Sequence, residues 1–196
     1  MSNAPVDHGR RRFLTIATSV VGAVGAVGAA VPFIASWNPS EKAKQAGAPV
    51  SANISKLEPG QLIRVEWRGK PVWVVKRTPE MLKSLETTEP NLRDPNSDVE
   101  QQPAYAKNRH RSKKPEIFVA VGICTHLGCS PTYKMSDFDA HVSGIASGFF
   151  CPCHGSTYDM AGRVFQGVPA PKNLMVPPYM FKDDSNLVIG VDEGVA

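Results

Sequence analysis

Cys124-Thr125-His126-Leu127-Gly128-Cys129 and Cys151-Pro152-Cys153-His154-Gly155-Ser156 decide how this chain is read. Each stretch holds two Cys and one His, and all four Cys of the 196 residues lie between positions 124 and 153. Such crowding marks a site rather than a disulfide framework spread along the chain. Two short loops that each carry thiols and an imidazole form a metal-binding pattern. His8, His110 and His141 have no Cys near them, so surface or packing roles are expected of them.

A donor set of two thiolates and two imidazoles suits zinc or an iron–sulfur centre. Zinc sites usually open with two Cys a short step apart, whereas the first loop opens Cys-x-His. In a Rieske-type [2Fe–2S] centre, two Cys hold one iron and two His hold the other. The Cys-x-His and Cys-x-x-His spacings let each loop donate one ligand to each iron. Cys124 and Cys151 are therefore expected on one iron, and His126 and His154 on the other. Cys129 and Cys153 remain, one per loop. Because both loops converge on one cluster, these two thiols are expected to be close and, outside the cytoplasm, joined as a disulfide.

Upstream, Arg10-Arg11-Arg12-Phe13-Leu14 opens a stretch from Phe13 to Trp37 with no charged residue. Its 25 residues would make a helix of about 37 Å, and the apolar core of a bilayer is about 30 Å. A single transmembrane anchor is expected over 13–37, with residues 1–12 cytoplasmic and the rest outside, because basic flanks stay inside. Trp37 suits the far interface. Arg-Arg-x-Phe-Leu is also similar to a twin-arginine export signal, with Arg10 and Arg11 as the pair. Export in the folded state fits a cluster built in the cytoplasm. No clear Ala-x-Ala site follows, so the segment is expected to remain as an anchor. Thr18, Gly22, Ala26 and Ala30 recur every four residues. They read either as a ridge for close helix packing or as the general Ala/Gly richness of the segment.

Residues 38–50 are small and polar, and read as a flexible linker that reaches about 43 Å when extended. Residues 51–196 form the head. They hold seventeen basic and sixteen acidic residues, a balance that gives no argument for nucleic acid. The pattern is mostly strand. Leu62–Trp67 and Val72–Lys76 flank a hairpin turn, and Glu116–Val121 and Phe149–Phe150 lead into the two Cys/His loops. Leu187–Gly190 is a late strand. Thr78-Pro79-Glu80 predicts an N-cap and a short helix to about Leu85. Residues 86–115 are polar and Pro-containing and read as a long surface insertion, with the basic run 107–114 solvated.

The two loops resemble the two boxes of the Rieske iron–sulfur subunits of the cytochrome bc1 complex, bacterial type. The resemblance extends over nearly the whole chain. Gly167-Val168-Pro169-Ala170-Pro171 is similar to the family's Pro-rich loop, which covers the cluster, and Asn173 to Tyr179 is like the stretch that follows it. The resemblance implies a mainly β fold: an antiparallel β-sandwich with an inserted cluster-binding subdomain, here about 122–171. It implies that Ser156 donates to a bridging sulfide and Tyr158 to a ligand Cys, which would raise the potential. Leu127 is expected to be partly exposed, where it contacts the quinol pocket or shields the iron.

The activity so implied is that of the iron–sulfur subunit of ubiquinol–cytochrome c reductase. It takes an electron from ubiquinol, with a proton received at a ligand His, and His154 is expected to face the quinol. The electron goes on to cytochrome c1. Cytochrome b, cytochrome c1 and ubiquinol are the expected partners, in a dimeric complex of a bacterial inner membrane with the head in the periplasm. The rival is a Rieske subunit of another periplasmic oxidoreductase, such as arsenite oxidase. Soluble Rieske ferredoxins lack the extra Cys pair and the anchor.

Overall fold

The computed structural model describes residues 7–138 and 145–192. It divides into two units, the first ending at Gln45 and the second beginning at Ala46. The first unit is dominated by α1 (His8–Ala35), whose 28 residues extend about 42 Å. Asp7 caps it by accepting from the amides of Gly9 and Arg10. The helix thus starts five residues before the predicted 13, carries the three arginines itself, and ends before Trp37. It has no buried residue, and among the described residues it is the one helix long and apolar enough to cross a membrane.

Within the expected linker, Glu41–Ala46 forms a short helical segment, α2. Ser40 Oγ accepts from the Ala43 amide, and Lys44 pairs with Glu41 at 2.7 Å. Glu, Lys, Ala and Gln are all good helix formers, so a capping Ser ahead of them nucleates a turn.

Three antiparallel three-stranded sheets make up the second unit. In the central one, β2 (Leu62–Trp67) and β3 (Lys70–Lys76) form a hairpin, and β4 (Ile117–Val121) pairs with β3. The hairpin turn is Arg68-Gly69, both with positive φ (+53° and +68°), the conformation a two-residue hairpin favours. A second sheet has the order β1-β9-β8, from β1 (Val50–Asn53), β9 (Asn186–Ile189) and β8 (Tyr179–Phe181). The third comprises β5 (Thr132–Lys134), β6 (Gly148–Cys151) and β7 (Ser156–Tyr158), and lies wholly within the expected cluster-binding subdomain.

Val72 to Val75 and Ile117 to Val121 are all buried, so β3 and β4 read as continuous apolar runs instead of alternating. Trp73 stacks on Phe149 of β6 with centroids 5.1 Å apart, which joins the central sheet to the third. Gly122, just after β4, lies against the Trp73 indole, where any Cβ would overlap the ring.

α3 (Pro79–Thr88) begins at the Thr78 cap as expected and runs three residues past Leu85. The surface-insertion reading of 86–115 fails. Thr88, Leu92, Ser97, Ala106, Arg111 and Ser112 are buried. Leu92 bridges to Phe165, the Arg93 amide donates to Val164 O, and the Gln166 amide donates to Asn91 O. Arg111, inside the supposedly solvated basic run, is fully buried. Polar composition concealed this, because guanidinium and backbone bonds supplement the few apolar anchors, Leu92 and Ala106, that hold the segment in place. Phe138 joins Leu92, Ile145 and Phe165 in a second small apolar cluster. His110 is half-buried, with Nδ1 inaccessible, rather than on the surface, while His8 is exposed on α1. His141 lies outside the described residues.

Candidate metal centre

β4 delivers the first loop. After Val121, the amides of Gly122 and Ile123 bond to Pro71 O and Val121 O, and the chain turns inward at Cys124. The loop closes on itself: the Cys124 amide donates to Cys129 O at 2.7 Å, and the Gly128 amide donates to Cys124 O at 3.1 Å. Gly128 has φ +87°, a conformation a side chain would strain. The second loop is the turn of the β6–β7 hairpin. Cys151 pairs with Ser156, and the Gly155 amide (φ +75°) donates to Cys151 O at 2.9 Å.

A disulfide joins Cys129 to Cys153 across the two loops, with Cα atoms 6.6 Å apart. Cys124 and Cys151 stay free and buried within the main core. Three sulfurs, of Cys129, Cys151 and Cys153, lie within 4.8 Å of one another, but two of them are bonded to each other and offer no thiolate. The His126 and His154 rings meet edge to face with centroids 4.7 Å apart. His126 is half-buried and its Nδ1 is inaccessible without a hydrogen-bond partner, while His154 is exposed. Leu127, beside His126, is 72% exposed.

Hydrogen bonds brace this arrangement from behind. Tyr158 Oη accepts from the Thr125 amide at 3.1 Å and lies 3.2 Å from both Cys124 Sγ and Thr125 Oγ1. Thr125 Oγ1 donates to Lys172 O at 2.6 Å, tying the first loop to the end of the Pro-rich stretch. Ser156 Oγ accepts from the Ala170 amide at 3.0 Å, tying the second loop to the same stretch. Burial pushes the Cys151 thiol pKa up, opposed by the Cys153 backbone amide and reinforced by neighbouring Cys124. It also pushes the Tyr158 hydroxyl up. A buried thiol of this kind ionises only beside a compensating cation.

The residues present therefore fit a [2Fe–2S] cluster: two buried free thiols, and two touching imidazoles of which His154 is exposed and His126 keeps a buried, orphaned Nδ1. Sequence reading missed Thr125, which the structure makes a junction of three bonds. Its place inside the first box was the available signal. It also missed Arg77, Arg111 and Arg163, which nothing in the local sequence distinguishes.

Residues 1–40 match the family model described as the TAT signal of the ubiquinol–cytochrome c reductase Fe–S subunit, and residues 95–179 match the Rieske [2Fe–2S] domain. The chain is 60% identical over 198 aligned positions to the ubiquinol–cytochrome c reductase iron–sulfur subunit of Allochromatium vinosum, covering all of this chain and 95% of the relative. It is 43% identical to that of Bradyrhizobium diazoefficiens, covering 94% and 96%. Among solved structures, a chain of a hyperthermophilic respiratory Complex III is similar at 28% identity and a TM-score of 0.47, over 88% of this chain and 98% of that one.

Proposed function

The chain belongs to the family of ubiquinol–cytochrome c reductase iron–sulfur subunits, and from that premise we propose how its residues perform the reaction. It is a membrane-anchored Rieske [2Fe–2S] subunit of a quinol–cytochrome c oxidoreductase, and it takes one electron from ubiquinol and hands it to cytochrome c1. When bound, the cluster supplies the one-electron couple.

Cys124 and Cys151 would hold one iron, and His126 and His154 the other. The buried, unpartnered Nδ1 of His126 supports Nδ1 as the ligand atom, which leaves Nε2 outward. His154, the more exposed ring, receives the quinol proton at Nε2. Leu127 makes apolar contact with the quinol. Ser156, whose oxygen already accepts from Ala170, keeps its own hydrogen for the cluster side, and Tyr158 directs its hydrogen at Cys124. Residues 38–50 tether the head, which lies in the periplasm of a bacterial inner membrane, as one arm of a dimeric complex with cytochrome b and cytochrome c1.

The observation that carries this reading is the pairing of two buried free thiols with two adjacent imidazoles beside the exposed Leu127. The test uses native membranes. The electron paramagnetic resonance line shape of the reduced cluster should respond to the redox state of the quinone pool. Leu127→Ala should abolish that response and slow quinol oxidation severalfold, with cluster content unchanged. A wild-type signal indifferent to the quinone pool overturns the quinol contact and favours a periplasmic oxidase subunit.

A further inference from the structure

Three arginines lie inside the head: Arg77 is 2% exposed, and Arg111 and Arg163 are 0% exposed. All three converge on the turn Asp159–Arg163, which begins one residue after Tyr158. Arg77 donates from Nη1 to Met160 O at 3.1 Å and His110 O at 2.9 Å, from Nε to Pro115 O, and from Nη2 to Ser112 Oγ. Arg111 donates from Nη1 to Ala161 O at 3.1 Å, and from Nη2 to Leu174 O at 2.7 Å and Gln102 Oε1 at 2.8 Å. Arg163 pairs through Nε with Asp159 Oδ2 at 2.8 Å and donates from Nη2 to Leu85 O.

The charges do not balance. Among the described residues Asp159 is the only buried carboxylate, set against three buried cations. Glu89, about one-third exposed, reaches Arg163 at 3.4 Å but bonds Arg109 more closely at 2.7 Å. Burial draws Arg77 and Arg111 down to about 10, opposed by Asp159, so both stay protonated at neutral pH. An excess of buried charge is costly, and Arg111 adds to the cost with an unpartnered Nε. Neutral donors could tie down carbonyls equally well. What only cations supply is a field. Met160, Ala161, Tyr158, Phe118 and Phe149 belong to the same apolar core as Cys124 and Cys151. In such a medium charge is weakly screened.

We propose that Arg77, Arg111 and Arg163 form a fixed positive field behind Cys124 and Cys151 that favours the extra electron and raises the potential of the cluster. This rests on the ligand reading above. Reduction adds one negative charge at the site, so removing a cation lowers the potential and removing an anion raises it.

The experiment is a redox titration of the full chain in membranes, followed by electron paramagnetic resonance. Arg111→Met should lower the reduction equilibrium constant by about threefold to tenfold, and tenfold is about 59 mV for a one-electron couple. Arg111→Lys keeps the charge but loses the planar fork, and should retain most of the wild-type potential. Glu89→Gln, near the surface, should raise the potential. An unchanged potential in Arg111→Met, or an equal fall in the Met and Lys variants, overturns the proposal. If Arg111→Met holds no cluster, Glu89→Gln decides alone, and an unchanged or lowered potential there overturns it. Cys151→Ser tests the ligand reading separately: a cluster retained in that variant refutes the ligands without reference to the arginines.

Discussion

Tyr158 Oη has one hydrogen and two acceptors within 3.2 Å, Cys124 Sγ and Thr125 Oγ1. Thr125 has already given its own hydrogen to Lys172 O, and the Thr125 amide already donates to the phenol oxygen. The phenol hydrogen therefore goes to the stronger acceptor, which is Cys124 once it is a thiolate ligand. A donor to sulfur stabilises the reduced, more negative state. Tyr158→Phe and Ser156→Ala should each lower the potential. One neutral hydrogen bond contributes about 1 kcal/mol, some tens of mV for a one-electron couple. Redox titration of the two variants measures this, and a rise in either contradicts the assigned role.

Two loops from different elements make the site, one at the end of β4 and one at the β6–β7 turn. No sheet bond joins them directly. Their coupling runs through the Cys129–Cys153 bond, through Tyr158 of β7, which accepts from the Thr125 amide, and through Lys172 and Ala170 in and just after the Pro-rich stretch. A cross-link closing a loop of this length, with partners 24 residues apart, stabilises by roughly 2–4 kcal/mol. Cys129→Ser should leave all four ligands present and the cluster short-lived. Cluster absorbance followed on mild heating tests this, and a lifetime equal to wild type would show that the hydrogen bonds joining the loops suffice without the cross-link.

Across the head, burial reaches phenols on two of the three sheets, Tyr133 and Tyr158 on the third and Tyr179 on β8. It pushes Tyr133 and Tyr179 up to about 12, and Tyr158 up as well. In the unfolded chain tyrosines ionise near 10. The folded state thus holds protons that the unfolded state releases. The stability this contributes is complete below pH about 10 and is lost as the pH rises towards about 12. Phenolate absorbance of the full chain should therefore show most of its four tyrosines still protonated at pH about 10.5 and ionising together with unfolding. A simple titration centred on pH 10 for all four would contradict the burial of these rings.

The sequence by itself determined what is local. Cys-x-His and Cys-x-x-His spacing, the Thr78-Pro79 helix start, the hairpin around Arg68-Gly69 and the uncharged N-terminal run all express interactions between residues a few positions apart. The bounds 122–171 came from the family resemblance rather than from any local pattern, and the third sheet lies between them. Only the tertiary structure decided what stands behind the site. Arg111 meets its acceptor at Leu174 from 63 positions away, and Arg163 meets Leu85 O from 78. Leu92 pairs with Phe165 across a similar distance in the chain. No window of sequence contains both partners of such contacts, so a segment rich in Pro, Gln and Arg looked like solvated loop. Burial of a charged side chain depends on carbonyls and a carboxylate that the fold brings from elsewhere, and composition carries no record of where those partners will be.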